Sequence, residues 1–266
     1  MKWKKLQPKR VDDIAISILD NYPLLFEPGT SWEYGAGLDW AGVMVGRANN
    51  TTLEGFMVEN IWKPLGIVNA TFHPSQHAGY KAKLPPIASR AGDVNPKTGM
   101  ALDPDGELVP MSWPIFATEP VDDLGGAGLF IPAPEFHKVL TSICNNDGKI
   151  LSPASIDALF TPSLTPEAEV ALIKFRHETE PAEVYSGGLP NNFPVAHGLG
   201  GIINVEDLKG GRKKGSMCWT GMTNTFWWID RTSGVCGTYW TQLTPHSDAK
   251  SSAHFAEFER GIYGKL

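Results

Sequence analysis

The order of secondary-structure signals along the 266 residues predicts an α+β fold. Helix-type patterns and caps fill the chain from about residue 11 to about 180. Short β-rich segments separated by turn dipeptides take over from about residue 196, and a last amphipathic stretch at about 251–263 reads as a helix. Strands that follow one another without intervening helices pair as hairpins, so the sheet is expected to be antiparallel, with at least three strands. The organisation predicted is one domain over 1–266, with a helical part at about 11–180 beside a sheet and terminal helix at about 196–266.

The opening MKWKKLQPKR is basic with no apolar run behind it, so it reads as a solvated arm, not a secretory signal or membrane anchor. VDDIAISILDNYPLLF begins as a short helix ending near Asn21, with Pro23 as its stop. EPGTSWEYGAG is turn-rich. Residues 38–48 look helical, and the small Ala41, Gly42 and Gly46 permit close packing. Thr52 is placed to cap the next helix, with Glu54 in its first turn and Pro64 as the expected stop after Trp62. Residues 66–120 carry many Pro and Gly and read as irregular, with short hairpins.

LGGAGLFI leads into a helix from about Pro134 that carries Phe136, Val139, Leu140 and Ile143 on one face, and NNDGK is its closing turn. In SPASIDALF, Ser152 is the cap and Pro153 the first helical residue. Residues 166–180 form an acidic helical stretch. GLGGIINV, SMCWTG, TNTFWWID and GVCGTYWTQ are the strands, with turns at Lys209–Arg212 and Arg231–Gly234. On the terminal helix Phe255, Phe258 and Ile262 share a face that should pack on the sheet.

Composition narrows the function classes. With 42% hydrophobic and 20% charged residues the chain is an ordinary globular one, and no apolar run approaches the ~18–20 residues of a membrane span. A net charge of -6 argues against nucleic acid or an anionic membrane as partner. Nine Trp and twelve Phe can furnish a large core or an aromatic-lined pocket for an apolar ligand. Cys144, Cys218 and Cys236 show no CxxC spacing, so neither a disulfide framework nor a zinc site is expected, and they read as free thiols in a reducing, cytoplasmic compartment.

Several catalytic signatures are missing: HExxH, the GxSxG elbow and the Walker A loop. His73 and His77 stand at i, i+4, but Pro74 lies between them and no acidic residue has the matching spacing, so no metal is expected. Gly125-Gly126-Ala127-Gly128 lacks the full dinucleotide-binding spacing, and no cofactor is expected.

The order of other segments is more informative. Phe26 to Tyr34 (FEPGTSWEY) fits F-x-P-G-x-x-W-x-Y, and Pro64 to Phe72 (PLGIVNATF) is close to P-L-G-M/I-x-x-T-x-F, with its threonine one place later, at Thr71. GGAGLFIPAPEF, HGLGG, WTGMTNTFWWID and YWTQ follow in turn. Together these resemble the serine β-lactamase-like superfamily, on the side of class C β-lactamases, related esterases and fungal transesterases of the lovastatin type. The resemblance implies a β-lactamase/transpeptidase-like fold and acyl transfer or ester hydrolysis on an apolar ester, thioester or amide, in fungal secondary metabolism.

By itself Tyr34 reads as an aromatic residue of a turn. The resemblance makes it the catalytic acid/base, since a tyrosine near a lysine ammonium can be held with a depressed pKa and shuttle the proton. Gly35 and Ala36 follow it where the family often carries a polar residue two places on. Trp219-Thr220-Gly221 matches the esterase form of the third family motif. This implies a substrate-binding strand edge at Trp219, Thr220 and Gly221, with the Met222 N–H as an oxyanion donor.

The family nucleophile is the serine of a Ser-x-x-Lys upstream of the tyrosine, one helical turn bringing the lysine to the same face. The thirty or so residues before Tyr34 do not hold it. Ser247–Lys250 fits Ser-x-x-Lys and Lys97-Thr98-Gly99 spells the third motif, but both are out of family order and read as chance matches. The expectation is therefore a chain lacking the family's N-terminal segment, whose exposed apolar surface a homodimer or partner chain would cover. The other reading is a nucleophile-free binding protein or an isomerase/cyclase using the same cleft.

Overall fold

The structure, a computed structural model, describes residues 23–79, 81–92, 103–111, 120–178, 187–190, 192–244 and 246–266. The basic arm, the helix expected at 11–21 and Lys97-Thr98-Gly99 lie outside the described residues. The chain divides into two units. The first comprises Met1–Leu25, Tyr34–Leu84 and Ser112–Pro132; the second comprises Phe26–Glu33, Pro85–Met111 and Ala133–Leu266.

In the first unit, α1 spans Gly37–Asn49 and closes on Asn50 in the left-handed conformation, φ 51°. Gly42 and Gly46 are buried, and a Cβ at Gly42 would sit 2.8 Å from Leu53 Cδ2, so the small residues do allow a close approach. Ala41, grouped with them on sequence, is exposed. Thr52 caps α2 (Leu53–Met57), its hydroxyl accepting from the Gly55 N–H as its position predicts. The expected stop at Trp62 is not where the helix ends. A π turn, Val58–Trp62, and a short α3, Lys63–Leu65, carry it on to Gly66, whose φ of 62° ends it. A prolyl ring collides with the carbonyl four residues back in a regular α-helix. Here the turn ahead of Pro64 is wound wider, with the Lys63 N–H donating to the Val58 carbonyl. Among the described residues of this unit, Trp62, Ile67, Phe72 and Leu124 are buried apolar side chains.

The second unit is built on sheets. β1 (Ala88–Arg90) lies between β2 (Leu108–Pro110), to which it is antiparallel, and β8 (Leu243–Thr244), to which it is parallel. The first of these pairings is antiparallel, as a hairpin would be, but residues 91–107 separate its strands, a longer connection than the short hairpins expected within 66–120; the parallel one escaped the sequence reading. Three helices follow: α4 (Ala133–Asn145), α5 (Pro153–Leu159) and α6 (Pro166–Glu178). Ser152 caps α5 through the Ser155 N–H, with Pro153 at its start.

The main sheet runs β3 (Val195–His197), β4 (Ile202–Asn204), β5 (Met217–Gly221), β6 (Thr225–Asp230) and β7 (Val235–Tyr239), every neighbour antiparallel. The turn expected at Lys209–Arg212 is closed by Leu208 and Arg212 within a longer β4–β5 connection. Alternation along β6 decides what covers the two faces. Phe226 and Trp228 point to one side, where Phe255 of α7 (Ala249–Tyr263) stacks on Phe226 with centroids 4.5 Å apart. Trp227 and Ile229 point to the other, against Leu140 and Cys144 of α4 and Phe160 after α5. The terminal helix thus packs as its periodicity predicts, with Phe255 buried and Ile262 half-buried. Phe258, placed on the same face, is exposed.

Candidate active-site segments

Tyr34 is the first residue of the first unit's Tyr34–Leu84 segment, and its side chain is half exposed. Its pKa moves in the direction opposite to that expected. Burial raises it, and the nearby Asp39 carboxylate raises it further. The depressed value rests on a lysine ammonium beside the ring. Asp39 comes instead from the first turn of α1, where it also accepts from the Gly126 N–H at 2.8 Å. That bond accounts for part of the glycine-rich segment. A Cβ at Gly125 would meet the Leu38 carbonyl at 2.6 Å and one at Gly126 the Asp39 carboxylate at 3.1 Å, so these glycines let the backbone lie against α1.

The other candidate residues fall together in the second unit. Trp219, Thr220 and Gly221 are the last three residues of β5, opposite Trp227, Phe226 and Thr225 of β6. A Cβ at Gly221 would sit 2.4 Å from Thr225 Oγ1, so the strand end is kept bare by crowding across the pair. Met222, Thr223 and Asn224 form the connecting loop. Its backbone bond runs from the Asn224 N–H to the Gly221 carbonyl, and Asn224 adopts φ 53°. This is the three-residue hairpin ending in a left-handed residue, which asparagine tolerates.

Asn224 also fastens the loop. Fully buried, it donates to the Leu243 carbonyl at 2.7 Å and accepts from the Asp248 N–H at 3.0 Å. Asn224 was missed on sequence because its partners are 19 and 24 residues away.

The Trp219 ring continues into a row of aromatic side chains. Its centroid is 5.7 Å from His197 on β3, which is 6.0 Å from Trp32, itself 5.1 Å from Phe175 of α6. Burial lowers the His197 pKa, against the opposing effect of its bond to the Gly198 carbonyl. An imidazole donating from Nδ1 to that carbonyl, at 2.5 Å, presents Nε2 as an acceptor. Trp32 sits inside the FEPGTSWEY segment, so the motif that supplies Tyr34 also supplies a packing partner for His197.

The Ser-x-x-Lys match at 247–250 is not a nucleophile arrangement. Ser247 is buried at φ 67° with no hydrogen bond to its hydroxyl, while the exposed Lys250 ammonium pairs with Asp105. Asp248, between them, caps α7 through the Ser251 N–H and takes two hydrogen bonds from Arg90.

His73 does have acidic neighbours, supplied by remote chain. One ligand atom each of Glu54, His73 and Asp123 lie within 4.8 Å of one another. These groups already serve the fold: Asp123 accepts from the Glu54 N–H and lies 2.7 Å from His73 Nε2, and Glu54 accepts from the Phe72 N–H and the Thr71 hydroxyl.

Known proteins place the chain. It is 35% identical over 245 residues to the monacolin J acid methylbutanoyltransferase of Aspergillus terreus, covering 91% of this chain and 56% of that protein. To the lovastatin esterase of Penicillium rubens it is 33% identical, over 99% of this chain and 64% of the relative. It therefore spans less than two thirds of the length of these relatives. A simvastatin synthase variant from Aspergillus terreus superposes with a TM-score of 0.83 at 34% identity, over 92% of this chain and 57% of that one. The Beta-lactamase family model matches residues 4–259. With that match covering nearly the whole chain, and a solved relative superposing over 92% of it, the protein belongs to the Beta-lactamase family.

Proposed function

We propose that this protein serves acyl transfer, as an esterase or transesterase acting on an apolar ester, thioester or amide in fungal secondary metabolism. The observation that carries the reading is the bare end of β5. There Trp219, Thr220 and Gly221 run into a loop pinned by the buried Asn224. A substrate acyl group laid along this edge would meet a fixed backbone, and the Met222 N–H, which takes no part in the turn's own bond, is the oxyanion donor of the proposal. Tyr34 is its acid/base. A phenol whose pKa is raised is held protonated, which suits proton delivery to a leaving alkoxide or thiolate. The acyl-carrying serine of the family's Ser-x-x-Lys motif is not among these residues in the family's position, and in this reading another segment or a partner chain supplies it. The agreement with a methylbutanoyltransferase and a lovastatin esterase supports the substrate class. Three cysteines held as thiols support a reducing, cytoplasmic location. Among the described residues no helix is long and apolar enough to cross a membrane.

The test is turnover of a p-nitrophenyl butyrate and a butyryl thioester by the full protein as expressed, and by its Tyr34→Phe variant, with melting temperature measured alongside. Tyr34→Phe should lower turnover by roughly 10²-fold or more, the size of a general acid/base contribution, with melting unchanged. Equal turnover in the variant removes the role of Tyr34. No turnover on any ester, thioester or amide even when the segment or partner chain carrying the family's Ser-x-x-Lys is supplied overturns the acyl-transfer reading in favour of ligand binding alone.

A further inference from the structure

The three cysteines all lie in the second unit, and they are not equivalent. Cys218 is fully buried in β5, and burial pushes its thiol up, which makes it inert. Cys144, near the end of α4, and Cys236, in β7, pack against one another beside Leu140 and Ile229. The register explains the meeting. Cys236 pairs with Ile229 across the ladder, on the sheet face that α4 covers.

The pair is asymmetric in access and in polarity. Cys144 is buried, its sulfur 3.9 Å from the Asp230 carbonyl. Cys236 is half-buried and lines a recess of about 450 Å³ with Pro134, His137, Thr238, Phe258 and Ile262. The neighbouring Cys144 thiol holds Cys236 down to about 7; burial opposes this and the Thr141 hydroxyl, 3.8 Å away, assists it. Cys144 is pushed far up by the same neighbour and by burial. One sulfur is thus reachable and stabilised as thiolate, and the other is its protonated neighbour.

We propose that Cys236 is an oxidation site for peroxides entering this recess, and that Cys144 captures the product as an internal disulfide. In the first step the Cys236 thiolate attacks a peroxide oxygen. The S–O bond forms as the O–O bond breaks, giving a sulfenic acid and, with one proton, water from hydrogen peroxide. In the second step the Cys144 sulfur attacks the Cys236 sulfur. The S–S bond forms, the S–O bond breaks, and the hydroxyl leaves with the Cys144 proton as water. Two thiols lose two electrons and two protons, and the peroxide is reduced to two waters. An external thiol reverses the product by exchange. The disulfide would tie α4 to β7 across the sheet face.

The experiment treats the folded protein with hydrogen peroxide, then unfolds it, alkylates it with N-ethylmaleimide and maps the peptides by mass. The expected result is loss of two alkylatable thiols, a cross-linked peptide pair joining Cys144 and Cys236, and Cys218 still fully alkylated. Iodoacetamide on the folded, untreated protein should modify Cys236 at least about tenfold faster than Cys144 or Cys218. In Cys144→Ser, dimedone should trap Cys236 as its sulfenic acid, and in Cys236→Ser, Cys144 should resist peroxide. The proposal is overturned if both thiols stay alkylatable after peroxide, if Cys218 enters the cross-link, or if Cys144 oxidises equally without Cys236. The parent protein's peptide map decides the matter even if a variant fails to fold.

Discussion

Arg212 is fully buried, and its charge is met by Glu259 alone among the carboxylates hydrogen-bonded to it. Nε donates to Glu259 Oε1 at 2.6 Å, and Nη2 donates to Oε2 at 3.0 Å and to the Gly187 carbonyl at 2.9 Å. Phe255 lies 5.9 Å beneath the guanidinium carbon, and Nη1 has no hydrogen bond. Two unit charges some 4 Å apart attract by about 4 kcal/mol at an effective dielectric of about 20. Burying each ion costs several kcal/mol, so the intact pair contributes little net stability.

Glu259→Gln keeps the shape and much of the hydrogen bonding but leaves the cation uncompensated, which should cost about 3–5 kcal/mol. Arg212→Met should cost a similar amount, because it strands the Glu259 carboxylate and the Gly187 carbonyl. Arg212→Met with Glu259→Gln removes both charges. It should cost clearly less than the two single changes summed, with a coupling of about 1–3 kcal/mol. The assay is urea unfolding at pH 7 followed by tryptophan fluorescence, comparing midpoints at equal slope. Single losses below about 1 kcal/mol, or a double variant equal to the sum, would refute the account of a buried and mutually dependent pair.

Two further outcomes follow from the loop and the last helix. Burial pushes the Asp248 carboxyl up, but the Arg90 hydrogen bonds and the Ser251 N–H outweigh it and hold the group below the usual carboxylate range. Its folded value is therefore below its unfolded one. The stability it contributes is present above the unfolded value of about 3.9 and is lost as pH falls through the folded one. Asp248→Asn should lower Tm at pH 7 and flatten the fall of Tm below about pH 4, and parallel curves for parent and variant would contradict this. Asn224→Ala strands the Leu243 carbonyl and the Asp248 N–H and puts alanine at φ 53°, costing about 3–5 kcal/mol in urea unfolding. Asn224→Gly, which relieves only the backbone strain, should recover a minor part; full recovery would mean that the two side-chain bonds contribute nothing.

What the sequence determined by itself is whatever depends on neighbours along the chain. Thr52 and Ser152 were legible as caps because a cap reaches only three residues ahead. The antiparallel sheet was legible from turn spacing, and Phe255 from helical period. The family motifs, read in order, single out Tyr34 and Trp219–Met222 as candidates. The wide turn that lets the helix pass Pro64 was not legible, since proline chemistry alone predicts a stop. Nor were the groups whose partners arrive from a distance: Asp39, not a lysine, sets the direction of the Tyr34 pKa, Asp123 reaches His73 across 50 residues, and Glu259 reaches Arg212 across 47. Cys144 and Cys236 carry no spacing signal and meet only because α4 lies on the face of the ladder where β7 points its second residue. Propensity, capping and period are short-range physics and are written in the chain. Charge pairing, burial and the meeting of two sulfurs depend on which faces the tertiary fold presses together, and only the packed structure decides those.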